Sequence, residues 1–149
     1  MEPKKQIMVS RSFGKSIRSK SILSEAISFH ASRAAEKLRY EKQKCRLITA
    51  FIRSNRFNTR VRQIYAAKSF ELVHPTDDTR IIIKNANRIL DQIFAEGYQY
   101  AKAGILLSDF TNKYGYQMSL FDKKRDEKMA SRLMETVDYI NLMEIAKIG

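Results

Sequence analysis

The sequence has little of what disulfide-bonded, metal-binding and membrane proteins require. It holds one cysteine, Cys45, which excludes an internal disulfide, and its two histidines lie far apart, which leaves a zinc site without ligands. No apolar run approaches the roughly 20 residues that span a bilayer, and residues 1–5 do not open a signal peptide. We therefore expect a cytoplasmic protein without cofactor or metal, in which Cys45 is a small packing residue.

Side-chain arrangements that could carry catalysis are missing from the sequence as well. Asp77 and Asp78 are adjacent, but no third ligand lies nearby, and both fit the start of a helix, where negative charge is favourable. His30 borders an apolar helical stripe and is interpreted as a packed or partly exposed side chain. Because spacing assembles no nucleophile, base or metal cluster, the chain alone is predicted not to be an enzyme.

Positive charge is present in excess, and the excess is confined to one part of the chain. The net charge is +12, and residues 1–62 hold 16 Lys and Arg against 4 Asp and Glu, whereas residues 63–149 hold 12 of each kind. This asymmetry predicts a cationic face for a polyanion, and nucleic acid is the commonest one for a protein without a membrane anchor. A solvated basic surface without a ligand is the alternative.

Apolar periodicity predicts the order strand, helix, strand, strand, helix, strand. Residues 7–9 form a short strand that leads into a turn at 10–14, and a helix capped by Ser19 or Ser21 then runs to about Glu41. Residues 45–54, with period two, and residues 64–73 form a hairpin around a basic connection at 55–63. The buried stripe of the helix comprises Leu23, Ile27, Ala31, Ala34 and Leu38.

A second helix and a last strand complete the pattern. Pro75 ends the preceding strand, Thr76 or an aspartate caps the helix, and Gly97 closes it. Residues 100–110 alternate between apolar and polar positions, as a strand does. The buried stripe of this helix comprises Ile82, Ala86, Ile89 and Ile93.

This order is packed most simply as an α+β fold, a four-stranded antiparallel sheet with two helices on one face. Ile48, Ala50 and Ile52 fall on the face that the helices cover. We expect the opposite face to be open to a partner. That open face is predicted to carry Leu47, Thr49, Phe51 and Arg53.

Beyond residue 111 the character of the chain changes. Polar, turn-forming sequence brackets Leu120 and Phe121, which is typical of a peptide that docks into a partner's pocket. Folding back onto the nearest hydrophobic surface is the alternative. We predict a domain at residues 1–111, a linker with the docking peptide at 112–122 and a helical extension at 123–149. The apolar stripe of the extension comprises Met129, Leu133, Val137 and Ile140.

Six short motifs, in order along nearly the whole chain, resemble the C-terminal part of UmuC-type proteins, the catalytic subunits of bacterial DNA polymerase V within the Y-family of translesion polymerases. They are Ser-Arg-Ser-Phe-Gly at 10–14, Arg-Ala-Ala-Glu-Lys-Leu-Arg at 33–39, Phe-Ile-Arg at 51–53, Pro-Thr-Asp-Asp-Thr at 75–79, Tyr-Ala-Lys-Ala-Gly at 100–104 and Gln-Met-Ser-Leu-Phe at 117–121. The resemblance implies a little-finger domain, a sliding-clamp-binding peptide and an extension that a UmuD-type accessory subunit could bind. The clamp-binding residues would be Gln117, Met118, Ser119, Leu120 and Phe121.

The resemblance also implies a role in the SOS response, in which the open face and the N-terminal basic loop contact the backbone of primer-template DNA without reading sequence. The palm, fingers and thumb of such polymerases have no counterpart in this sequence, so the chain alone is not expected to polymerise. Residues 55–67 are more basic than the family leads us to expect. The predicted DNA-binding residues are Ser10, Arg11, Ser12, Lys15, Arg18, Thr49, Arg53 and Lys102.

Two other functions remain open. A single-stranded nucleic-acid module of the RNA-recognition type needs aromatic residues on its central strands to stack bases. Phe51 and Phe70 are the candidates for that role, although the Gly-Phe pattern of the module is missing. A regulatory fragment would instead occupy the sliding clamp and compete with intact polymerases.

Overall fold

The structure, a computed structural model, describes residues 5–112 of the chain. The elements are β1 Gln6–Ile17, α1 Lys20–Tyr40, β2 Gln43–Ser54, β3 Tyr65–Thr76, α2 Thr79–Ile93 and β4 Tyr100–Asn112. This is the predicted order, and neither described helix is long and apolar enough to cross a membrane. The predicted clamp-binding peptide and C-terminal helix lie outside the described residues, and the division into three parts stays a prediction.

The four strands form one antiparallel sheet in the order β1-β4-β2-β3, which confirms the predicted fold class. β4 and β2 are therefore central, and β1 and β3 are the edges. Because residues paired across antiparallel strands point to the same side, the register defines the two faces of the sheet. On one face the central strands contribute the pairs Ile48–Leu107, Ala50–Ile105 and Ile52–Ala103.

Both helices cover that face, and the hydrophobic core lies between them and the sheet. α1 packs mainly over β1 and β4, whereas α2 packs over β2 and β3. The predicted stripe of α1 is fully buried, and Ile48, Ala50 and Ile52 belong to the same cluster, as predicted. Burying each leucine or isoleucine of this cluster contributes about 1.5–3 kcal/mol relative to leaving it in water. The contact between helices and sheet is therefore the main stabilising layer.

The two helices lie antiparallel beside each other. α1 begins at the predicted cap, where the backbone N–H of Ile22 donates to Ser19 Oγ at 3.4 Å, and its C-cap is Glu41. Close to its start, Ser24 Oγ donates to Asn87 Oδ1 of α2 at 2.5 Å. This hydrogen bond joins the two helices on the side of their contact that faces away from the apolar core.

The aspartates before α2 are structural, as predicted. The backbone N–H of Arg80 donates to Asp78 Oδ1 at 2.9 Å, so Asp78 is the N-cap, and this same arginine lowers the pKa of its carboxyl. Thr76 Oγ1 accepts from the backbone N–H of Asp78 at 3.1 Å, and the Asp77 carbonyl accepts from Arg39 Nη1 at 3.0 Å. The turn into α2 is therefore fixed on both sides.

The prediction that Gly97 closes α2 is wrong. The helix ends at Ile93, and Phe94, its C-cap, already has an extended backbone. The Tyr100 hydroxyl accepts from the N–H of Ala95 at 3.0 Å and donates to its carbonyl at 2.8 Å, so a side chain pairs the backbone groups that one more helical turn would have paired. Gly97, with φ of +88°, instead lies in the turn before β4.

The turn predicted at residues 10–14 is also wrong, because β1 continues to Ile17. Ser10 pairs with Gly104 and Ser12 with Lys102, and the register becomes irregular only between Ser12 and Ile17. Small polar residues are tolerated here because β1 is an edge strand, and pairing with β4 outweighs their local preference for turns.

The other end of the sheet holds Cys45 and the end of β3. Cys45 is fully buried, as predicted, and burial raises the pKa of its thiol to about 12, so the thiol stays protonated at neutral pH. Pro75 does not stop the strand before it, since β3 runs to Thr76. β3 is an edge strand, and proline is tolerated at an edge because no neighbouring strand needs its missing N–H.

Candidate nucleic-acid interface

On the face away from the helices, the register aligns one row of residues across all four strands. Ser12 of β1 pairs with Lys102 of β4, Lys102 pairs with Arg53 of β2, and Arg53 pairs with Tyr65 of β3. We call these four residues the cationic row. Like charges directly opposite each other oppose strand pairing. The row therefore concentrates positive charge at one end of the sheet, which suits an anionic ligand.

Most of the predicted DNA-binding residues lie on or beside this open face. Lys15 and Arg18 are exposed and follow Ser12 at the same end of the sheet. Arg11 is the exception, because it pairs with Ala103, whose side chain lies in the core, and so points to the helix side. Those that share the open face are Ser10, Ser12, Thr49, Arg53 and Lys102.

Two of these side chains are buried rather than presented. Thr49 is 3% exposed, and its Oγ1 lies 2.7 Å from Ser69 Oγ. Arg53 is 9% exposed, and its Nη1 donates to a backbone carbonyl at 3.2 Å. Ser12, by contrast, is exposed, and Lys102 is half-buried. Direct contact with a ligand therefore falls to Ser12, Lys102 and the exposed cations that follow β1.

Next to the cationic row, the Phe51 ring lies against the backbone of Gly104. A Cβ atom at position 104 would be 2.4 Å from Phe51 Cζ, so this close packing requires glycine. The Phe51 ring is nearly parallel to that of Tyr65, with centroids 6.1 Å apart, and Phe51 is 8% exposed. Phe70 pairs with Ile48 and packs against the core on the helix side. Phe51 and Phe70 therefore do not share the stacking surface that an RNA-recognition module needs.

Three segments meet at the end of the sheet that holds the cationic row. They are the last third of β1, the β2–β3 loop at residues 55–64, and the start of β4. Ser16 Oγ of β1 donates to Gln99 Oε1, just before β4, at 3.1 Å. A cavity of about 130 Å³ lies between the segments, lined among others by Phe13, Ser16, Asn55, Asn58 and Gln99.

The β2–β3 loop brings candidates that the predicted site left out. Arg56, Arg60 and Arg62 belong to the basic connection but were not assigned a role, and Phe57, 75% exposed, was not singled out at all. The signal was present in the sequence. Phe57 is a large apolar residue inside polar, basic sequence, which is the same pattern that marks Leu120 and Phe121.

The titrating groups with shifted pKa lie away from the open face. Burial, and after it the charge of Arg11, lowers the pKa of His30, and burial raises the pKa of Tyr100. Within residues 5–112, no three His, Cys, Asp or Glu side chains come together in a group that could hold a metal ion. What the open face does offer is ammonium, guanidinium and hydroxyl groups, which bind phosphate oxygens.

Residues 4–120 match the model of the impB/mucB/samB family C-terminal domain. The chain is 42% identical over 139 residues to the protein SamB of Salmonella typhimurium, covering 93% of this chain and 33% of SamB. It is 37% identical over 138 residues to the protein UmuC of the same species, covering 93% of this chain and 33% of UmuC. The chain thus spans about a third of the length of the curated relatives that it matches.

Solved structures show the same fold. The post-insertion binary complex of Dbh DNA polymerase matches with a TM-score of 0.59 at 11% identity, covering 72% of this chain and 29% of that one. A chain of the complex of beta-clamp processivity factor and little finger domain of PolIV matches with a TM-score of 0.51 at 14% identity, covering 77% of this chain and 97% of that one. At these identities the likeness concerns architecture alone.

Proposed function

The chain belongs to the impB/mucB/samB family, and from this membership we propose that it is the DNA-gripping, little-finger region of a UmuC-type translesion polymerase. In this role it holds primer-template DNA by its backbone and tethers it to the sliding clamp during SOS repair and mutagenesis. The polymerase chemistry would reside in the part of the family's length that this chain does not span. The working compartment would be the cytoplasm.

The cationic row is the observation that supports DNA binding most strongly. Three separate strands bring Ser12, Lys102 and Arg53 together on the face that the helices leave uncovered. Lys15 and Arg18 extend the positive surface at the same end. A surface of this kind neutralises phosphates whatever the base sequence. That property suits a protein whose templates carry unpredictable lesions.

The predicted contacts then divide into two kinds. Lys15, Arg18 and Lys102 would pair with phosphates directly, and the hydroxyls of Ser10 and Ser12 would donate to phosphate oxygens. Thr49, Arg53 and Arg11 would act less directly, because the first two are buried and the third points to the helix side.

The experiment that tests DNA binding is a salt titration of the full chain with primer-template DNA. If about five phosphates are neutralised, log affinity falls against log salt with a slope of about −4 to −5. A slope near zero would remove the proposal. Single-stranded RNA serves as the comparison ligand, and a preference for it would favour the RNA-recognition alternative.

The tether is the second part of the proposed function. A related fold occurs in the complex of beta-clamp processivity factor and little finger domain of PolIV, and the peptide Gln117, Met118, Ser119, Leu120 and Phe121 is our candidate for such a contact. Burying Leu120 and Phe121 contributes about 2 kcal/mol each, which after ordering costs leaves an affinity on the order of micromolar. On DNA, the clamp raises the effective concentration of the domain, so two weak contacts act as one stronger contact.

The tether is tested by replacing Leu120 and Phe121 with alanine in the full chain. We expect binding to a bacterial sliding clamp to disappear and binding to DNA to stay the same. Unchanged clamp affinity would refute the assignment. The same preparation can be mixed with a UmuD-type subunit, for which the predicted helix at residues 123–149 is our candidate contact.

A further inference from the structure

The β2–β3 loop presents an aromatic ring to solvent where the fold gives no reason for one. Phe57 is 75% exposed, although large apolar side chains are otherwise most often buried. The ring does not stand alone. The Arg56 guanidinium lies over it, 4.9 Å from the ring centroid. This is the geometry of a cation–π contact.

The loop is held in one shape by its own hydrogen bonds. Gln63 Nε2 lies within 3.1 Å of the Asn55 carbonyl and 2.9 Å of the Asn58 carbonyl, and donates to both. Asn55 Oδ1 accepts from the N–H of Phe57 at 3.0 Å, and Asn58 Oδ1 accepts from the N–H of Arg60 at 3.1 Å. The loop is therefore preorganised, which lowers the entropy lost on binding a ligand.

The charge around Phe57 favours an anionic ligand. Arg60 and Arg62 are exposed on the same loop, and no acidic residue occurs between Glu41 and Glu71. Arg62 is anchored, since its guanidinium carbon lies 4.4 Å from the centroid of the Tyr98 ring and its Nη2 donates to the Tyr98 hydroxyl at 3.1 Å. An apolar protein pocket would gain nothing from this concentration of arginine.

The position of the loop connects it to the open face. The loop begins and ends beside Arg53 and Tyr65, two members of the cationic row, and the N–H of Ser54 donates to the Ile64 carbonyl at 3.0 Å across its base. A duplex held on the cationic row would therefore have its unpaired continuation near Phe57. An exposed aromatic ring flanked by arginines is how proteins stack the bases of single strands while holding their phosphates.

We propose that the β2–β3 loop is a site for an unpaired nucleobase of single-stranded DNA next to the duplex. The base stacks on Phe57, and Arg56 and Arg60 bind the phosphates on either side of it. This site rests on the proposed function, because the duplex on the open face delivers the strand to the loop. The loop site would add a contact with DNA bases to an open face that otherwise contacts only the sugar-phosphate backbone of the DNA.

Fluorescence tests the stacking directly, because the chain contains no tryptophan. The variant Phe57→Trp places a single reporter in the loop, and Phe29→Trp places one on α1, where Phe29 is 60% exposed. Three DNAs are compared: a blunt duplex, the same duplex with a single-stranded extension, and the same with an abasic extension. We expect the tryptophan emission of the Phe57→Trp variant to be quenched only by the base-bearing extension, and no quenching in the Phe29→Trp control. Equal quenching by the abasic extension would overturn the proposal.

Affinity provides the second measurement. Replacing Phe57 with alanine should weaken binding to the base-extended DNA by about 5- to 150-fold, the range found when a base-stacking aromatic is removed, and leave the blunt duplex unaffected. Because Phe57 is exposed, the variant should keep the thermal midpoint of the parent chain. Loss of affinity for both DNAs, or for neither, would overturn the stacking site. A chain that binds no DNA at all would overturn the proposed function with it, whereas binding to blunt duplex without gain from the extension overturns the stacking site alone.

Discussion

The two faces of the sheet are buried to a similar depth along β2, yet they are built from different residues. On the covered face, Ile48 and Ile52 are fully buried under the helices. On the open face, Thr49, Phe51 and Arg53 are only 3%, 8% and 9% exposed, although α1 and α2 both lie on the other side of the sheet. Within the sheet, Thr49 contacts Ser69 of β3 and the Phe51 ring lies against the backbone of β4.

The comparison shows that burial alone does not distinguish a functional face from a packing face. Composition does, because the covered side of β2 and β4 is aliphatic, whereas the open side mixes apolar residues such as Phe51 and Leu106 with Arg53, Lys102 and hydroxyl groups. Aliphatic side chains stabilise through area removed from water. Cations and hydroxyls on the face away from α1 and α2 contribute little to that term, and they remain suited to an anionic ligand.

The largest expected effect is the difference in the free energy of unfolding between a substitution on the covered face and one on the open face. Replacing Ile52 with alanine removes a fully buried side chain under the helices, and we expect the free energy of unfolding to fall by about 2–5 kcal/mol. Replacing Thr49 with alanine on the open face removes one hydroxyl contact and should cost about 1 kcal/mol. Urea denaturation of both variants measures the difference. Equal losses would contradict the division of the sheet into a packing face and a binding face.

A smaller effect is expected from crowding the open face itself. In Gly104→Ala the new Cβ would lie 2.4 Å from Phe51 Cζ and 2.7 Å from Ser10 Cβ, which should cost about 1–3 kcal/mol of stability. Adding Phe51→Ala removes one of the two clashes. A double-mutant cycle should therefore show coupling, with the second substitution costing less in the Gly104→Ala background. Additive losses would mean that the ring does not pack on Gly104 in solution.

The smallest effect concerns pH and belongs to the covered side. His30 is 5% exposed, neither of its ring nitrogens has a hydrogen-bond partner within the described part of the chain, and burial lowers its pKa below the ordinary value of 6.5. Below that pH the unfolded chain binds a proton that the folded chain does not, so stability falls on acidification. We expect His30→Gln to lose less stability than the parent chain between neutral and mildly acidic pH. His74→Gln, at an exposed position, is the control and should behave like the parent.

The fold could be read from the sequence to a large extent, and the site only in part. The apolar stripes of both helices and the alternation of β2 are each a periodic pattern within one element, which local sequence encodes. The misplaced turn in β1 depends on pairing with β4, which is distant in sequence, and the misplaced end of α2 depends on a side-chain contact, that of the Tyr100 hydroxyl with the Ala95 backbone. Local propensity holds no record of such partners.

The candidate site depended on register, which the sequence does not give. The alternation of side chains along each strand assigned Arg53 and Lys102 to one side of that strand. Only the pairing of β2 with β4 shows that the two residues are neighbours. Arg11 was grouped with Ser10 and Ser12 because they are adjacent in sequence, although adjacent residues of a strand point to opposite faces. Phe57 was missed although the sequence carried its signal, a large apolar residue inside a polar, basic connection.

The most direct test of the central claim compares two charge-matched triple variants in the salt titration with primer-template DNA. One replaces Lys102 of the open face and the neighbouring cations Lys15 and Arg18 with alanine, and the other replaces the exposed helix cations Arg33, Lys37 and Lys84. If the open face binds the DNA backbone, the first variant should lose about one unit of the salt slope for each cation removed, and the second should keep the parent slope. Equal loss in both variants, or a greater loss in the helix variant, would contradict the account.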